Sequence, residues 1–153
     1  MKKAAARRAA KRPPEAASLE WANIVIHDLA QAIAALRAAT AAHKPVTLWS
    51  AEGAGIYAGP GWFAAVERHA RAAVPAGKAS FVIDCAERAD LVQEAFRAGI
   101  KAARFAGPRR VAEKLADIAA QQRATLHRQR PKALDLLNAG DPETATAAYL
   151  AGN

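Results

Sequence analysis

Cysteine is nearly absent. Cys85 stands alone among 153 residues, which excludes an intramolecular disulfide framework and a zinc site built on cysteines, and suits a reducing compartment. Large apolar side chains are also scarce. Leu, Ile, Val and Phe together number 29, or 19% of the chain, just under the roughly 20% level at which disorder competes with folding. Their clustering into short runs argues for a folded domain. No apolar run approaches the roughly 18 residues of a membrane span. The basic N-terminus is followed by neither the apolar core nor the small-residue cleavage site of a secretory signal. The expected location is therefore a bacterial cytoplasm, although an Arg-rich, Ala-rich, acid-poor leader also fits an organellar transit peptide.

What fills the sequence instead is alanine, at 44 positions. Alanine is the best helix former, so Ala-rich segments carrying periodic larger residues read as closely packed helices. Charge is uneven. The net of +8 divides into +5 over residues 1–18, −2 over 19–96, +8 over 97–132 and −3 over 133–153. Residues 1–18 hold Lys2, Lys3, Arg7, Arg8, Lys11 and Arg12 with no large apolar residue after Met1, the composition of a disordered basic tail. Such a tail either solubilises or attracts nucleic acid and anionic surfaces weakly. Residues 19–153 are then a single domain, consistent with the length.

Apolar periodicity in 19–153 alternates between helix and strand. Val25, Ile26, Leu29, Ile33 and Leu36 recur at three and four residues and predict a long N-terminal helix over 19–42. Strands are expected at 44–51, 79–85, 100–106 and, more weakly, 124–127. Pro60 opens a helix with a Trp62, Phe63, Val66, Ala70, Val74 stripe. Further helices are expected at 90–98, from the Gly107-Pro108 junction to 122, and after Asp141-Pro142. The continuous run Phe81-Val82-Ile83 suits a central parallel strand buried on both faces. This rhythm predicts an α/β fold: a small parallel sheet of three to four strands with helices on both faces, flavodoxin-like or Rossmann-like. A self-associating half-barrel is the alternative. The stretch 84–107 also resembles segments of barrel aldolases, in which Ala-Gly precedes a strand and a small residue follows it, but no diagnostic motif accompanies it and no family follows.

In such a sheet ligands bind beyond the carboxyl ends of the strands. Gly53-Ala54-Gly55-Ile56-Tyr57-Ala58 fits the letters of a dinucleotide fingerprint. However, the natural helix start is Pro60, and Asp84 lies 31 residues beyond Gly53 where the fingerprint expects an acidic residue at about 20. The fingerprint is therefore rejected, and the Gly59 and Gly61 amides are the better phosphate donors. Gly107-Pro108-Arg109-Arg110 combines free helix amides with two guanidiniums, against the usual preference for acids in a first turn. A bound anion explains that mismatch; so do two hydrated arginines. Glu52, Asp84 and Glu87 could form an acid/base pair at the same rim or merely charge helix starts. Cys85, after three apolar residues, reads as a small buried hydrophobe. His27, His43, His69 and His127 lack ligand spacing, so no metal site is expected, and no cofactor is specified.

The expected ligand residues are Gly59, Gly61, Gly107, Arg109, Arg110, Asp84 and Glu52, and the expected partner is a phosphorylated or otherwise anionic small molecule. The competing class is an interaction module reaching nucleic acid or an acidic partner through the tail and the 97–132 surface. Homo-oligomerisation is a further expectation. An enzyme of aldolase or nucleotide-dependent type stands lowest, because no complete catalytic constellation is visible.

Overall fold

The computed structural model describes residues 20–153, so the tail expected at 1–18 lies outside the described residues. In chain order the elements are β1 (Ala22–Val25), α1 (Leu29–Ala41), β2 (Val46–Trp49), the short α2 (Ala54–Tyr57) and α3 (Pro60–Ala73), followed by β3 (Ala79–Asp84) and α4 (Ala89–Arg97). Then come β4 (Ala102–Arg104), α5 (Arg109–Gln121), β5 (Thr125–His127), β6 (Leu134–Asp135) and α6 (Pro142–Ala151). All strands are parallel and lie in the order β5-β4-β3-β2-β1-β6.

The α/β class and the parallel sheet stand, and three details differ from the sequence expectation. First, the long helix over 19–42 is a strand followed by a helix. Ile24, Val25 and Ile26 are consecutive and all buried, a strand pattern whose end happens to fall in step with the Leu29, Ile33, Leu36 stripe. Asp28, extended at φ −155°, accepts from Gln31 N–H and starts α1 there. Second, six strands replace three or four; the two extra are β1 and the two-residue β6, which is too short to leave a periodic signal. Third, the five longer helices of the described residues pack on one face. Ile24, Leu48, Phe81, Ile83 and Ala103 share a core with α1, α3, α4, α5 and α6, whereas Val25, Trp49, Val82 and Ala102 form a second cluster with Ala133 and no helix residue.

That second face is concave. A connection from His127 to Leu134 must join opposite edges of the sheet. Seven fully extended residue steps and five interstrand gaps each come to about 24 Å, so a flat sheet would leave no slack. Yet Arg130 of the connection bonds to Asp84 on β3 and to the Ser50 carbonyl just past β2, and the rings of Trp49 on β2 and His127 on β5 lie 5.1 Å apart. The sheet curls until strands three places apart touch. Its other edge is pinned by His27 Nε2 against Asp135 Oδ1 at 2.6 Å, which ties β1 to β6.

Candidate functional site

The connection after β5 crosses the carboxyl ends of the strands, and Arg130 is its anchor. Arg130 Nη1 donates to Asp84 Oδ2 at 2.8 Å, and Nη2 donates to the Ser50 carbonyl at 3.1 Å. Its guanidinium lies over the Trp49 ring, 5.4 Å from the centroid. Arg104, the last residue of β4, donates from Nη1 to the same Asp84 Oδ2 at 3.0 Å and sits 3.7 Å from Glu52 Oε1. Arg128 continues the arc, donating to the carbonyls of Phe105 (3.1 Å) and Gly107 (2.8 Å) over the Phe105 ring.

Asp84 is fully buried at the end of β3, and all of its acceptor capacity is taken. Oδ1 accepts from the backbone N–H of Gly53 (3.1 Å) and Ala86 (2.9 Å), while Oδ2 takes both guanidiniums. Two residues with positive φ, Gly53 at 72° and Ala86 at 50°, turn those amides inward. Burial alone pushes the carboxyl up, but the Ala86, Arg130 and Gly53 hydrogen bonds and the Arg104 charge outweigh it and hold it below its ordinary value. A carboxylate so held neither gives up a proton nor offers a lone pair to a ligand. It positions arginines.

The chemistry this leaves is cationic. Two guanidiniums share one buried carboxylate, and their side chains are 15% and 20% exposed for Arg104 and Arg130. Glu52, 75% exposed, forms a looser ion pair with Arg104 at 3.7 Å, so Arg104 and Arg130 face two carboxylates and the positive surplus of the rim is supplied by Arg128. Parallel strands thus end in fixed donors with surplus positive charge at an open rim, an arrangement that can orient an anion.

Of the residues expected from sequence, Asp84 and Glu52 are brought together, through Arg104. Gly59 and Gly61 stand at the start of α3, Gly59 as N-cap at φ 88°, each with open space where a Cβ would project. Gly107 has a packing reason of its own: a Cβ there would fall 2.3 Å from Cζ of Phe105. Arg109, its side chain 91% exposed, pairs with Glu113 at 3.2 Å, and Arg110 is exposed beside it. Gly55 packs against the end of β3, its Cβ position 2.9 Å from the Asp84 carbonyl, so it serves close approach of the chain and not a pyrophosphate. Cys85 is buried and its thiol is pushed up to about 12, chiefly by burial, then by the charges of Asp84, Asp90 and Glu94. Sequence reasoning missed Arg104, Arg128, Arg130, Ser50 and His127. The available signal was Arg104 directly after two strand alanines, at a strand terminus and so at the rim.

No family model matches the chain, and no curated protein matches it. Among solved structures it is similar to a candidate fructose-1,6-biphosphate aldolase from Coccidioides immitis, with a TM-score of 0.54 and 16% identity over 69% of this chain. The match spans 45% of that protein's length. The likeness is one of fold.

Proposed function

We propose that this protein binds a phosphorylated or otherwise anionic small molecule at the carboxyl rim of its sheet, with Arg104 and Arg130 as the primary donors. The observation that carries this reading is the convergence of both guanidiniums on a single buried carboxylate, which fixes their direction, with Arg128 beside them adding the positive charge that Asp84 and Glu52 do not balance. Glu52 borders the site and Asp84 positions it. The Gly59 amide, expected from sequence as a phosphate donor, donates instead to the Ala54 carbonyl at 3.1 Å; the amides of Gly61 and Gly107, with Arg109 and Arg110, are proposed as an outer ring at the same end of the strands. The solved neighbour, named for a sugar bisphosphate, is compatible with such a ligand.

Thermal unfolding with inorganic phosphate tests the proposal. A ligand at 100 times its dissociation constant adds about 2.7 kcal/mol. Because phosphate also stabilises proteins generally by exclusion, Arg130→Gln is the control. Wild type should gain clearly more than the variant; equal gains would overturn the reading. The competing proposal, a polyanion-binding surface over 97–132, draws on the outward projection of Arg109. It predicts that Arg109→Ala with Arg110→Ala, and not Arg130→Gln, lowers affinity for a single-stranded oligonucleotide.

A further inference from the structure

The layer of helices stops at α5. Helix α1 is flanked by α6 and α3, and α4 by α3 and α5. After β5 the chain crosses the mouth to β6 without forming a helix, so the outer flank of α5 beside the edge strand β5 stays uncovered among the described residues. A groove of about 470 Å³ lies there. Its two walls follow from the periods of their elements. Arg109, Ala112, Glu113 and Ala116 line it from α5, spaced three and four apart and so on one helix face, while Leu126 and Arg128 line it from the strand side as alternate residues turned the same way. The volume suits a small molecule, whose clefts are mostly apolar with a few placed polar groups.

Charge decides which small molecule. Ala112 and Leu126, both buried, and the Ala116 methyl make the lining apolar between the charged groups. Arg109 pairs with Glu113, Nε to Oε1 at 3.2 Å, and the two charges cancel. Arg128 is not balanced in this way. Its Nη1 and Nη2 donate to the Phe105 and Gly107 carbonyls and its guanidinium lies over the Phe105 ring, but no carboxylate pairs with it among the described residues. Those contacts hold the guanidinium in place without neutralising it. The lining therefore carries two guanidiniums against one carboxylate, a surplus of one positive charge beside apolar surface. A neutral apolar molecule leaves that charge unanswered, and a small inorganic anion leaves the apolar walls wet.

We infer that the groove between α5 and β5 binds a monoanion with an apolar body, of the class of aliphatic carboxylates, its head at Arg128 and its chain against Ala112, Ala116 and Leu126. The groove adjoins the anion rim at Arg128 and uses neither Arg104 nor Arg130, so it stands whether or not those two hold a ligand.

Calorimetric titration with octanoate, octanol and acetate tests it. Wild type should bind one octanoate, at least about tenfold more tightly than octanol, which lacks the charge, and than acetate, which lacks the chain. Ala116 is exposed, so Ala116→Trp fills the groove without entering the core and should weaken octanoate at least about tenfold. Arg130→Gln should leave octanoate affinity unchanged. No octanoate binding, or octanol bound as tightly, would overturn the assignment in wild type alone. Affinity kept in Ala116→Trp and lost in Arg130→Gln would move octanoate to the rim and overturn it too. Sedimentation equilibrium of the ligand-free protein covers the other occupant: a dimer that Ala116→Trp dissociates would mean that a second copy of the chain fills the groove, against the assignment.

Discussion

Asp84 and His127 are two of the buried polar residues of the concave face, and they respond to change differently. Asp84→Asn keeps an oxygen for the Gly53 and Ala86 amides but turns an NH2 group toward two guanidiniums that only donate. The expected loss is roughly 3 kcal/mol, the scale for breaking a buried ion pair, read as a lower urea midpoint at unchanged slope. A loss under about 0.5 kcal/mol, the ordinary scatter of surface changes, would show that the network does not hold the rim. His127 carries the pH dependence. Burial lowers its pKa to about 4 from 6.5, so the unfolded chain takes up a proton that the folded one refuses. Its stabilising effect is complete above pH 6.5 and is lost as the pH falls through 4. Between pH 7 and 5 wild type should lose about 2 kcal/mol, and His127→Phe should lose none of this. A flat wild-type profile would contradict the assigned burial. Asp84 and Asp135, both held below the usual carboxylate value, lose their contributions only at lower pH, outside that window.

At the scale of elements, the two glycine-proline junctions look alike in sequence and differ in physics. Gly61 sits in the first turn of α3 with nothing near its Cβ position. Gly61→Ala should therefore stabilise by about 0.5–1 kcal/mol through the unfolded chain and helix propensity. Gly107→Ala drives a methyl into Phe105, a buried ring beneath Arg128, and should destabilise by roughly 1–3 kcal/mol. Melting temperatures that move in the same direction for both would refute the distinction. The helices at Pro60, Ala89, Arg109 and Pro142 were legible because proline, a capping aspartate or a clean apolar stripe marks each start. Strands β2 to β5 were legible as short apolar runs between those helices. β1 was hidden by accidental phase with α1, and β6 was invisible because two residues, Leu134 and Asp135, have no period. Of the site, Asp84 and Glu52 could be read as carboxylates at strand ends. Arg130 could not, since its partners lie 46 and 80 residues away and only the curl of the sheet brings them together.

The whole molecule is a curled parallel sheet with one layer of helices among the described residues, closer in form to a partial barrel than to a doubly wound sheet. That difference bears on function. A doubly wound sheet reverses strand order at its binding crevice, whereas here the 128–133 connection returns across the mouth and delivers Arg128 and Arg130 to it. The central claim is that Arg104 and Arg130 hold an anion at that mouth. Arginine Nε–H resonances, followed by NMR during titration with inorganic phosphate, test it most directly. The account predicts that the Arg104 and Arg130 signals move saturably with one dissociation constant, while Arg109, in the outer ring and 91% exposed, moves less. Saturable shifts confined to Arg109 and Arg110, or no shift at Arg104 and Arg130, would contradict it.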